Sequence, residues 1–332
     1  MSQLLSFTDP CLQYVGRVRP DACGTRLDWS GCGFNLRVQG GAVRVRLRGE
    51  AIGGQGAPVC RVRVGETVTT LSVAPAPCWY TLAENLPADR ETAVELLKIS
   101  EPQYGFVNLE ALEVTGEVLP ALPPPARKIL FVGDSITCGY GVTAAIEDPF
   151  STDTEDVTTT YAWLLADRLA AQRHILSASG WGVATANNGS TTECLMPTVL
   201  PLVQFAADGK GESWNPADFT PDLVVVNLAT NDAAGQSPAD RLQNGIAALL
   251  TTLRRDYPAA PILWIYGAMV LWMEDTVRAA VEAFAADDGN TRYIPLVPVV
   301  QAEMGSCGHP NVLGQRRLAD DLEPQIRAMM GW

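Results

Sequence analysis

Four short segments of this chain carry side chains suited to nucleophilic and acid–base chemistry. In Gly133-Asp134-Ser135-Ile136-Thr137-Cys138-Gly139-Tyr140-Gly141, a serine follows a run of apolar residues. A serine hydroxyl attacks usefully only beside a base, because its own pKa lies far above neutrality. Gly305-Ser306-Cys307-Gly308-His309-Pro310-Asn311 supplies a candidate base in His309. The chain has two histidines, and the other, His174, opens a predicted strand, so His309 is the better partner for Ser135. In Ser177-Ala178-Ser179-Gly180-Trp181-Gly182, a glycine allows a backbone N–H to approach a ligand closely. In Asn227-Leu228-Ala229-Thr230-Asn231-Asp232, Asn231 can aim its amide at an anion. Each segment also has an ordinary reading: Asp134 and Ser135 as helix-capping residues, Gly180 as a flexible loop, Asn231-Asp232 as a turn, His309 as a structural side chain.

Other chemistries fit less well. Gly139-Tyr140-Gly141-Val142-Thr143-Ala144 matches the G-x-G-x-x-A dinucleotide pattern, yet it starts six residues past Gly133, and position 161 is Tyr rather than an acid. A G-x-S-x-G elbow does not surround Ser135. The eight cysteines are scattered without a C-x-x-C pair, and two histidines cannot build a His-rich metal site. No cofactor and no metal are expected.

The elements that would position these segments follow from periodicity. Beyond residue 127, short apolar runs (128–132, 174–176, 222–228, 261–266 and 293–296) alternate with helical patterns (161–171, 238–255, 275–286 and 311–330). Continuous apolar strands between amphipathic helices predict an α/β/α domain with about five parallel strands, flavodoxin-like, covered on both faces. Ligand-binding residues of such sheets lie at the carboxyl ends of the strands, where all four segments fall. Before residue 120 the pattern has period two, as in Val43-Arg44-Val45-Arg46-Leu47-Arg48, Arg61-Val62-Arg63-Val64 and Glu110-Ala111-Leu112-Glu113-Val114. Gly40-Gly41, Gly53-Gly54-Gln55-Gly56 and Pro75-Ala76-Pro77 punctuate it, predicting a β-sandwich of jelly-roll type. The six arginines from Arg37 to Arg63 fit a solvated sheet face. The expected domains are residues 1–119, a Pro-rich linker at 120–126, and residues 127–332.

With 332 residues, 47% hydrophobic, the chain can bury two cores. Its formal charge of −13 opposes nucleic acid and anionic membrane surfaces alike, and leaves small or neutral partners. The N-terminal residues lack the basic and apolar regions of a signal peptide, and no apolar run approaches a membrane span, so free thiols and a cytoplasmic location are expected.

Taken in order, Ser135, Gly180, Asn231 and His309 resemble the four blocks of the SGNH hydrolase superfamily, over about residues 127–332. Gly-Asp-Ser-Ile-Thr-Cys-Gly-Tyr-Gly, together with a β-rich domain and a Pro-rich joint ahead of it, is similar to carbohydrate esterase family two. The resemblance implies a serine esterase that removes O-acetyl groups from plant-type polysaccharides or oligosaccharides such as xylan, mannan or glucomannan. Ser135 would be the nucleophile and His309 the base, with the Ser135 and Gly180 N–H groups and the Asn231 amide forming the oxyanion hole. Two positions depart from the superfamily pattern. Ala229 stands where many members have Gly, and Ser306 where many have the triad Asp, three residues before His309. The second departure matches family members that work with a Ser–His dyad, a main-chain carbonyl holding the imidazole. Glu303 lies six residues before His309. Trp272, in the loop after the fourth strand, and Trp181, beside Gly180, are candidates to stack on a sugar; the alternative for Trp272 is packing beneath the next helix. Two other functions share these residues: a thioesterase, lysophospholipase or other esterase of the superfamily, and a non-catalytic carbohydrate-binding protein.

Overall fold

The computed structural model describes residues 2–22 and 24–332. The chain forms two compact units, Met1–Pro124 with Ser151–Asp153, and Pro125–Phe150 with Thr154–Trp332.

The first unit is antiparallel β-structure. Its strands are β1 (Gln3–Leu5), β2 (Gln13–Val15), β3 (Thr25–Leu27), β4 (Gly33–Ala51), β5 (Val59–Val64), β6 (Thr67–Ser72), β7 (Cys78–Lys98), β8 (Gly105–Val114) and β9 (Glu117–Leu119). The main order is β1-β8-β4-β7-β5-β6, with β2 and β9 on β4 and β3 on β8. Two long strands hold it together. In β4, Phe34, Leu36, Val38, Val43, Val45 and Leu47 are buried, and the arginines between them point outward. Arg44 pairs with Glu113, while Arg46 and Arg48 pair with Glu110, so the arginine cluster is an ion-paired sheet face. Gly40-Gly41 corrects the sequence reading, because it lies inside β4 rather than at a turn. Register shifts fall between Gln39 and Val43, and both glycines have left-handed backbone, φ +72° and +74°. A Cβ on Gly41 would lie 2.5 Å from the Gly116 nitrogen, so this bulge bends the strand without ending it. Ser151–Asp153 joins this unit because Thr152 donates through N–H to the Gln55 carbonyl (3.0 Å) and through Oγ1 to the Ala57 carbonyl (2.7 Å).

The second unit is a five-stranded parallel sheet. Its strands are β10 (Arg127–Gly133), β11 (Ala171–Ser177), β12 (Leu223–Asn227), β13 (Ile262–Tyr266) and β14 (Thr291–Pro295), in the order β11-β10-β12-β13-β14. Numbered within the unit this is 2-1-3-4-5, the flavodoxin-like winding whose switch point lies beside its first strand. The helices are α1 (Ser135–Cys138), α2 (Tyr161–Arg168), α3 (Met196–Val199), α4 (Thr230–Ala234), α5 (Ala239–Asp256), α6 (Glu274–Asp288) and α7 (Val312–Met330). Every residue of β12 and β13 is buried, as their unbroken apolar runs require when both faces of the sheet are covered. α5 buries one stripe, Leu242, Ile246, Leu249, Leu250 and Leu253, as an amphipathic helix does. Among the described residues no helix is long and apolar enough to cross a membrane.

Candidate active site

Ser135 begins α1 directly after β10. Asp134 caps that helix, its Oδ1 accepting the Ile136 N–H at 3.0 Å, and Gly139 ends it in left-handed conformation, φ +86°. A buried strand, a capped turn and a four-residue helix thus hold Ser135 at the carboxyl edge of the sheet.

His309 reaches the same point from the loop before α7. Its Nε2 lies 2.8 Å from Ser135 Oγ, and its Nδ1 lies 3.2 Å from the Ser306 carbonyl oxygen. A carbonyl only accepts, so this contact places the imidazole proton on Nδ1 and leaves Nε2 to accept the serine proton. The loop is held by close approach. Gly141 has φ +56°, and a Cβ there would sit 2.4 Å from Ser306 Cβ. The Gly139-Tyr140-Gly141 run that fits a dinucleotide pattern therefore serves to end α1 and to admit the histidine loop. The Tyr140 ring lies over His309, centroids 4.5 Å apart, and stacks on Phe150 at 3.9 Å. Poor hydration in this half-buried setting lowers the His309 pKa from 6.5 to about 4, and the Ser306 carbonyl opposes the shift only weakly.

Neither side chain near His309 in sequence takes the place of a triad acid. Glu303 pairs with Arg317 at 2.8 Å and caps the Val300 N–H at 3.1 Å; Arg317 holds its carboxyl below the usual range. The Ser306 hydroxyl donates to the Asp148 carbonyl at 2.8 Å.

The remaining blocks converge on the same edge. Gly180 has φ +82°, and its carbonyl accepts the Asn187 N–H at 3.0 Å. Asn231 lies in the first turn of α4, and its Nδ2 donates to the Trp181 carbonyl at 3.0 Å and to Asp134 Oδ2 at a longer 3.3 Å. Asn231 therefore bridges the serine turn and the glycine loop. Ala229 caps α4 at φ +96°, so the methyl at this departure from the pattern sits in left-handed backbone.

The two tryptophans separate. Trp272 is 74% exposed in the loop between β13 and α6, so it does not pack beneath that helix. Trp181 corrects the expectation of sugar stacking: it is 2% exposed, with its ring set at 64° against Phe205. A ring enclosed in the core has no free face to offer.

Gln315 is a contributor that the sequence reading missed. Buried on α7, it donates Nε2–H to the Ile136 carbonyl (2.8 Å) and accepts the Tyr161 N–H on Oε1 (2.9 Å). It thereby ties α1, α2 and α7 together around Ser135. Its signal was available, since it lies on the stripe of Leu318 and Leu322, a polar residue on an apolar face.

A serine at the end of the first strand, hydrogen-bonded to a histidine ahead of the last helix on a 2-1-3-4-5 parallel sheet, defines a serine hydrolase arrangement. The chain belongs to the GDSL-like lipase/acylhydrolase family, whose model matches residues 131–317. Residues 14–125 match the carbohydrate esterase 2 N-terminal family. The chain is 28% identical to the cellulase/esterase CelE of Acetivibrio thermocellus over all of its own length, and spans 41% of that relative. It is also 28% identical to an acetylxylan esterase/glucomannan deacetylase of Cellvibrio japonicus, over 75% of this chain and 70% of that protein. Among solved structures, an acetyl xylan esterase (Est2A) from Butyrivibrio proteoclasticus superposes with a TM-score of 0.91 at 20% identity, covering 100% of this chain and 99% of that one. A family two carbohydrate esterase from Clostridium thermocellum, in complex with cellohexaose, gives 0.88 at 24% identity over 97% and 99%. These likenesses establish the two-domain fold.

Proposed function

We propose that this protein is a serine esterase that removes O-acetyl groups from plant-type polysaccharides or their oligosaccharides, working with a Ser135–His309 dyad. The observation that carries the reading is the 2.8 Å contact between His309 Nε2 and Ser135 Oγ, with Nδ1 held by the Ser306 carbonyl. The substrate class is supported by the names of the relatives and by the family match of the N-terminal unit.

In this reaction His309 takes the Ser135 proton as Oγ attacks the acetyl carbonyl carbon. The tetrahedral oxyanion is met by the N–H groups of Ser135 and Gly180 and by the Asn231 amide. Among the described residues, neither of those N–H groups has a hydrogen-bond partner in the chain. Asn231 swings its longer bond, that to Asp134, toward the oxyanion. The intermediate collapses, the sugar hydroxyl leaves with the proton from His309, and acetyl-Ser135 remains. His309 then deprotonates a water, which releases acetate and restores Ser135. The stacking role falls to Trp272, whose indole is exposed on the loop following β13.

Acetate release from acetylated xylan, mannan and glucomannan oligosaccharides tests the proposal. At least one of the three should be deacetylated, and Ser135→Ala should lower turnover by about 10⁴ or more with the melting temperature held. Wild-type turnover in that variant removes Ser135 from the mechanism. Hydrolysis confined to long-chain acyl esters removes the carbohydrate.

A further inference from the structure

The residue after Asn231 is used in a way that the mechanism above does not include. Asp232 is fully buried, and both carboxylate oxygens are occupied by backbone: Oδ2 accepts the Val183 N–H, and Oδ1 accepts those of Ala184 and Thr185, all at 2.8 Å. These three residues continue the segment that starts at Gly180. Asn231, one position earlier, grips the same segment at the Trp181 carbonyl. Two consecutive side chains of α4 therefore hold four residues of the loop, Trp181, Val183, Ala184 and Thr185.

The packing has no slack around this grip. A Cβ on Gly182 would lie 1.9 Å from the Thr185 carbonyl oxygen and 2.9 Å from Asp232 Oδ2. Gly235, just past α4, meets the loop at its next residue, where a Cβ would fall 2.0 Å from the Ala186 carbonyl oxygen. Thr185 Oγ1 donates to Ser237 Oγ at 2.9 Å. The loop is seated on α4 through a buried anion and two glycine contacts.

We propose that Asp232 is the positioning residue of the oxyanion hole, its carboxylate fixing the 180–185 loop on α4 so that the Gly180 N–H and the Asn231 amide meet one oxygen. The assignment rests on the esterase reading. Asp232 touches neither substrate nor nucleophile, and it acts through the loop. A donor displaced by a fraction of an ångström costs most in the transition state, where the oxyanion is fully charged, and little in substrate binding.

Asp232→Asn keeps the shape and exchanges one accepting oxygen for an N–H₂ group that faces a backbone N–H. Its kcat on a small aryl acetate should fall about 10- to 100-fold while KM stays within about threefold. A boronic acid that forms a tetrahedral adduct with Ser135 should lose affinity in proportion to kcat, because its charged oxygen occupies the same hole. The acid limb of the pH profile, set by His309, should stay in place. Gly235→Ala pushes the same loop at Ala186, should show the same split, and carries the test if Asp232→Asn does not fold. A lowered melting temperature with unchanged kcat and boronate affinity in the folded variants overturns the proposal. A wild-type protein without activity on any acetyl ester refutes the esterase reading instead.

Discussion

At the scale of single residues, the proposed chemistry depends on how His309 is held. A carbonyl dipole at Nδ1 fixes the tautomer, yet it stabilises the transient imidazolium less than a carboxylate does. Because Glu303 is engaged by Arg317 and the Ser306 hydroxyl by Asp148, Glu303→Gln and Ser306→Ala should each retain most of the wild-type kcat. A loss of about 10⁴ in either variant would reveal a side-chain acid. The imidazole must be neutral to accept the Ser135 proton, and its pKa is lowered to about 4. The active form therefore persists as pH falls past 6.5. A kcat/KM profile on an aryl acetate should stay flat through pH 6 and decline only near pH 4. Trp272 makes a separate prediction. Trp272→Ala should weaken hydrolysis of acetylated oligosaccharides at least about tenfold and leave a small aryl acetate nearly untouched, since stacked aromatic rings bind through the sugar face alone. Equal losses on both substrates would take the indole out of sugar binding.

At the scale of elements, the segment that follows α1 closely approaches the histidine loop. Gly141→Ala adds a Cβ 2.4 Å from that of Ser306, in left-handed backbone. It should cost more than the roughly 1–2 kcal/mol of the backbone conformation alone and should also lower kcat, because Ser306 carries the carbonyl that orients His309. Gly289→Ala, at φ +67° with nothing within 4 Å, should show the backbone cost and no change in kcat. Urea midpoints and kcat for the pair separate strain from displacement. The strands that carry the site were legible in sequence because β10, β12 and β13 are continuous apolar runs bounded by polar residues or, for β13, by Pro261 and Gly267. β7 was not. Its middle, Glu84-Asn85-Leu86-Pro87-Ala88-Asp89, has the composition of a turn, and Asn85 adopts φ +54° while the strand continues on both sides. The four site blocks could be read from local spacing, whereas the burial of Trp181 depends on Phe205, an interior contact absent from any local pattern.

At the scale of the whole molecule, charge and substrate separate. The chain carries a formal charge of −13, and much of its arginine is spent in surface pairs such as those on β4. A neutral acetylated sugar feels no long-range field from that charge, so steering contributes nothing to its capture. Between 20 and 500 mM sodium chloride, kcat/KM for a neutral acetylated oligosaccharide should change less than about twofold, although the Debye length shrinks severalfold over that range. A steep salt dependence would mean that a charged group of the substrate is recognised.

The lowered basicity of His309 also bears on what the reaction does to its surroundings. Each acetyl group cleaved from a neutral sugar near pH 7 liberates a proton along with acetate. A dense, heavily acetylated polymer therefore sours the water around any enzyme that strips it. An imidazole of ordinary basicity would be progressively silenced by that drop, and the reaction would throttle itself before the polymer was bare. In the proposed reaction, His309 beneath Tyr140, with its pKa lowered to about 4, would go on accepting protons as acetate accumulates. On the proposed esterase reading, a base of low basicity spares the reaction from being slowed by the acid it releases.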